Sequence, residues 1–406
     1  NVRKQNKCRC CASKKLRELI TFGKVPLNSN LIDKSNLKID KYKLNLLVCL
    51  ECFHVQIGYL VNPKKLFSKY FWETGVSISN LKLIENLYNV LKERHNLKKK
   101  SSIFEIACND GSLLKYFYKK GNIKTSGMDP AKNLLSEKVK KKYFLINDFF
   151  SFKNSKKYFK NQYDFLIARN VLAHVEDPNE IIKGASILSK KGTVLIIEVP
   201  HLLTIYNENQ YDNIFHEHVG YHSLDSINRI AEKFNFNIVD CEIIESQGNS
   251  LRCFYKYGSK KNKNYKNINK IVQLEKKLLK ISTWKVFAKK INNHRDLMKN
   301  LFKRIKRDGK IISAYGASGK GQSLLQICNL NRKFINYIYD KSELKIGKYL
   351  PFGKIKIKNP INIVNDDPDY LLLLSWNLRK EILIQEYQYR KNGGKFIVPF
   401  PLPKII

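Results

Sequence analysis

The chain has 406 residues, and 75 Lys and Arg against 35 Asp and Glu give it a formal net charge of +40. Its 43% hydrophobic and 12% aromatic residues are typical of a folded globular protein, so the charge does not indicate disorder. The longest apolar stretches, residues 193–200 and 370–376, are far shorter than the ~20 residues of a membrane helix, and residues 1–17 hold no apolar signal-peptide core. We therefore expect a cytoplasmic protein of two or three domains with no membrane partner.

The lysines are spread along the whole chain and are interleaved with Asn and Ile. The local runs at residues 98–100, 138–142 and 260–263 contain few aromatic residues. This distribution favours a solvated surface over a nucleic-acid-binding stripe. Some of the charge can still attract an acidic ligand such as a nucleotide.

Residues 1–65 contain two C-x-x-C pairs, with predicted strands at 44–49 and 55–61 around the second pair. Four thiolates at this spacing suit tetrahedral Zn²⁺, and four protein ligands leave no open position for chemistry. We therefore predict a structural zinc site, with Cys10 as a spectator; a chance spacing of cysteines is the alternative. The predicted ligands are Cys8, Cys11, Cys49 and Cys52.

The rest of the chain predicts an α/β protein. Residues 66–100 form a connecting segment with an amphipathic helix at 80–97. Residues 101–256 alternate strand and helix patterns, which predicts a mostly parallel, doubly wound sheet. Residues 257–406 begin with a helical stretch at 264–307 and then alternate again, which predicts a second Rossmann-like sheet. The predicted strands are 103–107, 125–129, 143–146, 165–168, 194–199, 236–244, 251–255, 311–315, 334–340, 370–374 and 396–398.

A nucleotide-binding turn is predicted where strand 103–107 breaks into a helix. Gly111 would let a ligand approach the backbone closely, and Asp129 ends the next strand, where it can accept the hydroxyls of a ribose. The pattern is not the G-x-G-x-x-G of a dinucleotide fold. Within this order of strands it indicates S-adenosylmethionine (SAM). The predicted cofactor-binding residues are Glu105, Ala107, Asn109, Gly111, Asp129, Asp148 and Asn170.

Residues 211–222 hold the densest run of titratable groups in the chain. Gly220 stands where H-E-x-x-H requires histidine, so the run does not predict a zinc peptidase. The run follows strand 194–199 and so lies near the carboxyl edge of the sheet, where ligands bind. A neutral imidazole there can remove a carbon-bound proton that a carbonyl acidifies. Surface or capping histidines are the alternative.

Taken in order, several motifs resemble the SAM-dependent C-methyltransferases of nucleoside-diphosphate-linked keto-deoxysugars, of the tetronitrose C-3-methyltransferase type. The resemblance covers nearly the whole chain. The motifs are C-R-x-C at 8–11, C-x-x-C with Gln56, E-I-x-x-N-D-G at 105–111, N-V-L-A-H at 170–174, Glu217-His218, G-x-S-L-R at 248–252, Y-G-A-S-G-K-G at 315–321, and Trp376-Asn377 through G-G-K at 393–395. It implies a zinc-binding amino-terminal domain, a central SAM-binding domain and a carboxyl-terminal Rossmann-like domain without NAD, with substrate between the last two.

The resemblance also implies site roles. His218 would be the base, and we expect Glu217 to orient it and Tyr70 or Tyr221 to bond the enolate oxygen. Three positions depart from the family pattern, because Phe215, Trp72 and Gln247 replace its Tyr, Tyr and His. The expected substrate-binding residues, with a diphosphate at the 316–321 turn, are Arg252, Gly316, Ser318, Lys320 and Asn377.

The sequence thus predicts C-methylation of a nucleotide-linked keto sugar through an enolate. An O- or N-methyltransferase acting on a nucleotide sugar is the first alternative. A basic RNA-modifying protein and a non-catalytic zinc–SAM module are two more.

Overall fold

The computed structural model describes residues 2–28, 30–67, 73–135, 137–260 and 266–406. The first part of the chain forms a small antiparallel sheet of β2, β3 and β4, and β1 pairs with β5 beside it. Its elements are β1 (Val2–Lys4), β2 (Leu16–Val25), β3 (Tyr42–Cys49), β4 (Val55–Ile57), β5 (Tyr59–Val61), α1 (Pro63–Phe67), a 3₁₀ turn (Thr74–Val76) and α2 (Ile78–Arg94).

The middle part of the chain folds into a seven-stranded sheet, referred to below as the first sheet. Its strands are β6 (Ser102–Ile106), β7 (Lys124–Met128), β8 (Leu145–Ile146), β9 (Tyr163–Arg169), β10 (Ser189–Pro200), β12 (Phe236–Ile244) and β13 (Ser250–Tyr257), while β11 (Gly220–Tyr221) lies outside it. The helices are α3 (Ser112–Gly121), α4 (Glu137–Tyr143), α5 (Phe152–Tyr158), α6 (Pro178–Ile187), α7 (Leu202–Asn207) and α8 (Leu224–Ala231), with 3₁₀ turns at Tyr211–Asn213 and Glu232–Phe234.

The strand order of the first sheet is β12-β13-β10-β9-β6-β7-β8. The five strands from β10 to β8 are parallel, β13 runs antiparallel to β10, and β12 runs antiparallel to β13. The chain reverses its direction of travel across the sheet between β6 and β9. Ligands bind at such a switch point, outside the carboxyl ends of the strands.

The last part of the chain forms a six-stranded sheet, the second sheet, with the order β16-β15-β14-β17-β18-β19. Only β19 is antiparallel to its neighbour. Its strands are β14 (Ile312–Tyr315), β15 (Tyr337–Tyr339), β16 (Lys356–Lys358), β17 (Tyr370–Leu373), β18 (Lys395–Val398) and β19 (Lys404–Ile405). The helices are α9 (Lys266–Glu275), α10 (Ile281–Arg307), α11 (Gly319–Cys328), α12 (Ile363–Asp366), α13 (Arg379–Gln385) and α14 (Tyr387–Lys391), with 3₁₀ turns at Lys276–Leu278, Pro360–Asn362 and Trp376–Leu378.

The structure confirms the predicted α/β architecture with two Rossmann-like sheets. The predicted strand at 143–146 is wrong at its start, because the chain stays helical through the buried Tyr143 and only Leu145–Ile146 pairs with β7. Strand β2 was not predicted, because its side chains are mostly exposed or half-buried. The strand prediction also missed β16 and β19, short strands at the two edges of the second sheet.

Residues 211–222, referred to below as the histidine segment, lie where the three sheets meet. Its strand β11 pairs with β4 and so becomes the edge of the amino-terminal sheet. From the other side, the Ser323 hydroxyl of α11 donates to the carbonyl of Ile214 at 2.6 Å. Among the described residues, none of the helices combines the length and apolar character that crossing a membrane requires.

Candidate active site

Four cysteines form a metal centre at the amino-terminal sheet. The Sγ atoms of Cys8, Cys11, Cys49 and Cys52 all lie within 4.8 Å of one another. Cys8 and Cys52 are 3.5 Å apart, and Cys11 and Cys49 are 3.6 Å apart. A tetrahedral zinc with Zn–S bonds of about 2.3 Å places its sulfurs about 3.8 Å apart, so the residues fit the metal. Cys10 lies outside this group, and its Sγ faces the carbonyl of Ser226.

A cavity of about 400 Å³ opens at the carboxyl ends of β6, β7 and β9. The predicted cofactor residues on its wall are Glu105, Ala107, Asn109, Asp129 and Asn170. Gly111 and Asp148 are not on this wall. Gly111 is the N-cap residue of α3 with φ +73°, while Asp148 accepts bonds from the backbone of Phe149 and the hydroxyl of Tyr158.

Asp129 holds the turn that follows β6. One carboxylate oxygen accepts the backbone N–H of Asn109 at 2.7 Å, and the other accepts that of Ala131 at 2.8 Å. Burial raises the pKa of this carboxyl group, and the two backbone donors oppose that rise. Ala107 and Asn170 have φ of +56° and +55°. Left-handed backbone at non-glycine residues is costly and collects at ligand sites.

Glu105 forms a buried ion pair with Arg169, whose Nη2 lies 2.8 Å from Oε1 of the carboxylate. Burial raises the pKa of Glu105 to about 7, although the neighbouring guanidinium opposes this shift. Its other oxygen, Oε2, is buried and has no hydrogen-bond partner among the described residues. An orphaned acceptor on the cavity wall fits the amino group of SAM. Arg169 was not among the predicted site residues, although its place at the carboxyl end of a predicted strand was an available signal.

His218 is buried and held in one tautomer. Its Nδ1 lies 3.0 Å from the carbonyl oxygen of Asn213. A carbonyl only accepts, so Nδ1 carries the proton and Nε2 keeps its lone pair. Burial above all, with the neighbouring His174 and Lys320, holds the pKa of His218 well below its usual range. The side chain is therefore a neutral imidazole at pH 7, as a base must be.

The other predicted catalytic residues lie in different places. Glu217 lines the same cavity as His218, whereas Tyr70 and Trp72 fall outside the described residues. Tyr221 does not line either cavity, contrary to expectation. It lies in β11, which pairs with β4 of the amino-terminal sheet. There its hydroxyl donates to the carbonyl of His218 at 3.0 Å. Tyr221 thus stabilises the backbone at His218 by a hydrogen bond.

A second cavity, of about 1060 Å³, lies between the first sheet and the second sheet. Of the predicted substrate residues, Ser318, Lys320 and Asn377 are on its wall. Gly316 is not, since it packs against Ser375 in the turn after β14.

Arg252 requires a correction. The sequence analysis assigned it to the substrate, but its side chain has no exposed surface. Its guanidinium lies 2.6 Å from Glu198 and 2.9 Å from Glu242, inside the antiparallel edge of the first sheet. These ion pairs join β13 to β10 and to β12. Arg252 therefore lies within the sheet and not on either cavity wall.

The two cavities share part of their walls. Asn80, Leu83, Asn170, His174 and Ser246 line both of them. The ring of His174 lies 4.7 Å from that of His218, and burial lowers its pKa to about 4. His174 was not among the predicted site residues, although it ends the N-V-L-A-H motif. A ligand in the first cavity and a ligand in the second would meet beside this histidine.

The chain matches three domain models in succession. Residues 8–67 match a zinc binding domain, residues 81–240 a methyltransferase domain, and residues 245–401 a C-methyltransferase C-terminal domain. The chain is 29% identical to C-methyltransferase NovU of Streptomyces niveus, over 100% of this chain and 98% of the relative.

Two solved methyltransferase structures each match less than half of this chain. Magnesium protoporphyrin IX methyltransferase of Synechocystis PCC 6803 with bound SAM is 14% identical over 44% of this chain and 80% of its own, with a TM-score of 0.34. A SAM-dependent methyltransferase of Clostridium acetobutylicum ATCC 824 is 14% identical over 44% and 92%, with a TM-score of 0.35.

The first sheet with its cofactor cavity, the Cys₄ centre and the domain matches define the class: a SAM-dependent methyltransferase with an amino-terminal zinc-binding domain. The third domain and the full-length relative narrow this class. The protein is a SAM-dependent C-methyltransferase.

Proposed function

We propose that the protein methylates a carbon atom next to the ketone of a nucleoside-diphosphate-linked keto-deoxysugar. The observation that carries this proposal is the wall shared by the two cavities at Asn170 and His174, with His218 on the second side. The first cavity suits SAM. The second, at about 1060 Å³, has room for a nucleotide sugar.

The charges around the second cavity support a diphosphate ligand. Lys82, Arg379 and Lys380 lie on its wall and are exposed. Exposed cations attract a hydrated phosphate without the cost of burying charge. The helix N-terminus at Ser318 adds backbone N–H groups on the same wall, a usual partner of phosphate.

His218 starts the reaction by taking a proton from the carbon next to the ketone. The electron pair of that C–H bond moves toward the carbonyl oxygen and leaves an enolate. SAM, when bound, supplies the methyl group. The cavity lined by Glu105 and Asp129 would hold SAM, whose methyl group would pass to the enolate carbon as the ketone re-forms, with S-adenosylhomocysteine as the leaving group. The Asn213 carbonyl presents Nε2 of His218 as the acceptor for the carbon-bound proton, because it binds the proton on Nδ1.

The test is to incubate the enzyme with a panel of nucleotide-linked keto sugars in D₂O and to follow the products by mass spectrometry and NMR. We expect SAM-dependent methylation on carbon, with deuterium entering the position next to the ketone. His218→Gln should abolish both. A methyl group on oxygen or nitrogen without deuterium entry would overturn the proposal and favour the alternative methyltransferase chemistry.

A further inference from the structure

Lys320 is a buried cation in the second cavity. It lies in the first turn of α11, after the N-cap residue Ser318, whose hydroxyl oxygen accepts the backbone N–H of Gly321 at 3.1 Å. Only 7% of its surface is exposed, although lysine is rarely buried without a partner. Its Nζ donates to the carbonyl of Gln247 and lies 5.8 Å from the ring centroid of Trp376.

The ammonium group has unused hydrogen-bonding capacity. A lysine Nζ carries three N–H donors, and one of them serves the Gln247 carbonyl. The nearby carboxylate of Asp212 is buried and accepts the indole N–H of Trp376 at 2.7 Å. This negative charge offsets part of the desolvation cost of the ammonium. The site therefore holds a cation whose remaining donors can serve a ligand.

Lys320 and His218 face the same cavity because α11 packs directly on the histidine segment. Ser323 bonds the carbonyl of Ile214, and the ring of Phe215 lies against Gly319. That ring is 4.2 Å from the ring of His218 and brings no hydroxyl group. The electrostatic influence of Lys320 on His218 agrees with their proximity. The ammonium of Lys320 and the imidazole of His218 thus line one cavity.

The environment of Lys320 suits one dry oxygen atom better than a diphosphate. Lys82, Arg379 and Lys380 on the same cavity wall are exposed and can follow a hydrated diphosphate. A buried, fixed donor is instead the arrangement that stabilises charge developing on one atom in a transition state.

We propose that Lys320 is the electrophile of the enolisation step, a role that rests on the proposed function. Its Nζ donates a hydrogen bond to the ketone oxygen while Nε2 of His218 takes the proton from the adjacent carbon. The electron pair released from the C–H bond comes to rest on that oxygen as an enolate beside the ammonium. Lys320 keeps its proton, and the pair returns to re-form the ketone when the carbon bonds the methyl group.

Lys320→Met tests this role, because methionine keeps the unbranched, flexible side chain and removes the charge. The readouts are deuterium entry into the keto sugar without SAM, kcat, and KM for the sugar. We expect deuterium entry and kcat at saturating sugar to fall about 100- to 1,000-fold, the usual cost of one such donor. KM should change by less than about threefold, because the lost interaction belongs to the transition state. Lys320→Arg should recover part of the rate.

The matched control is Lys285→Met on the exposed face of α10, which should leave every readout unchanged. SAM affinity, measured by calorimetry, checks that Lys320→Met is folded. If that variant does not fold, Lys320→Gln replaces it, since its amide can keep the bond to the Gln247 carbonyl. A raised KM with normal deuterium entry at saturation would show a diphosphate anchor and overturn the proposal. If the wild type itself incorporates no deuterium, the proposed function fails first.

Discussion

The two Rossmann-like sheets hold their first turns with the same set of hydrogen bonds. In the first sheet, Asp129 accepts the N–H groups of Asn109 and Ala131 at 2.7 and 2.8 Å. In the second sheet, Asp340 accepts those of Ala317 and Ser342 at 2.7 and 2.9 Å. Each aspartate follows the second strand and fastens the turn after the first strand. The shared device therefore belongs to the fold.

The two aspartates differ in the charged partners and in the exposure of their carboxylates. Lys345 forms an ion pair with Asp340 at 3.1 Å, and both side chains are only 12% exposed. No cation is paired with Asp129 among the described residues, and this aspartate lies on the cavity wall. A neutralised, covered carboxylate is a poor partner for ribose hydroxyls, whereas an unpaired one on a cavity can accept them. The same hydrogen-bonded turn thus leaves an unpaired carboxylate on the first cavity in one sheet and a neutralised carboxylate in the other.

The amino-terminal sheet differs from both Rossmann-like sheets because its edge strand, β11, belongs to the histidine segment. Cys49→Ser should remove a zinc ligand and so destabilise the sheet that holds β11. We expect loss of zinc, whose apparent binding energy in such sites is about 10–16 kcal/mol, and with it a large fall in kcat. Metal analysis and steady-state kinetics measure the two effects. Cys10→Ser is the matched control, and equal losses in both variants would contradict the assignment of the four ligands.

Acid should weaken the packing of the histidine segment, because His216 and His222 lie in it and His174 contacts its His218. Burial lowers the pKa of His174 and His216 to about 4 and of His222 to about 3. Their folded pKa values lie below the unfolded value, so their contribution is complete above pH ~6.5 and is lost as pH falls toward 4.

For each of these histidines the loss approaches about 1.4 kcal/mol per pH unit in that window. Urea unfolding at pH 7.5 and 5.5 measures the free energy of unfolding. His216→Gln should reduce the difference between the two pH values, whereas equal stability at both would contradict the argument.

Asp129→Asn tests the cofactor side of the comparison. The substitution removes the charge that a ribose hydroxyl would meet, and a hydrogen bond to a charged group contributes about 1.5–3 kcal/mol. We expect the Kd for SAM to rise about 10- to 100-fold by calorimetry, since 1.4 kcal/mol is a factor of ten. Asp340→Asn is the control in the second sheet and should leave the Kd unchanged. If Asp340→Asn weakened SAM binding as much, the two turns would not differ in function.

The features that the sequence predicts correctly are those that depend on residues close together in the chain. The strand at 236–244 was predicted with the bounds that the structure shows, because its pattern lies within one element. The four zinc ligands also follow from spacing alone.

Arg252 was predicted to bind substrate as part of the G-x-S-L-R motif, and Tyr221 was predicted to bond the enolate oxygen, yet each is buried by partners distant in sequence. Glu198 is 54 residues from Arg252, and β11 pairs with a strand of another sheet. The buried position of Lys320 likewise depends on α11 packing on residues 214–215. Contacts of this kind leave no periodicity in a sequence.

Gly316→Ala tests the rigidity of the turn after β14, and we expect it to have a smaller effect than the substitutions above. Gly316 has φ +90°, and a Cβ there would lie 2.2 Å from the hydroxyl oxygen of Ser375. Left-handed backbone costs a non-glycine residue about 1–2 kcal/mol, and the contact with Ser375 adds to this. Gly393→Ala is the matched control, because Gly393 has φ +93° but nothing within 4 Å of the added Cβ.

Urea unfolding should therefore show a larger loss of stability for Gly316→Ala than for Gly393→Ala, with the Kd for SAM unchanged in both. Equal losses would mean that Ser375 moves away at no cost and that the second turn is less rigid than its hydrogen bonds indicate. A weakened SAM affinity in Gly316→Ala alone would mean that the second turn also shapes the cofactor site, and the separation of roles between the two sheets would fail.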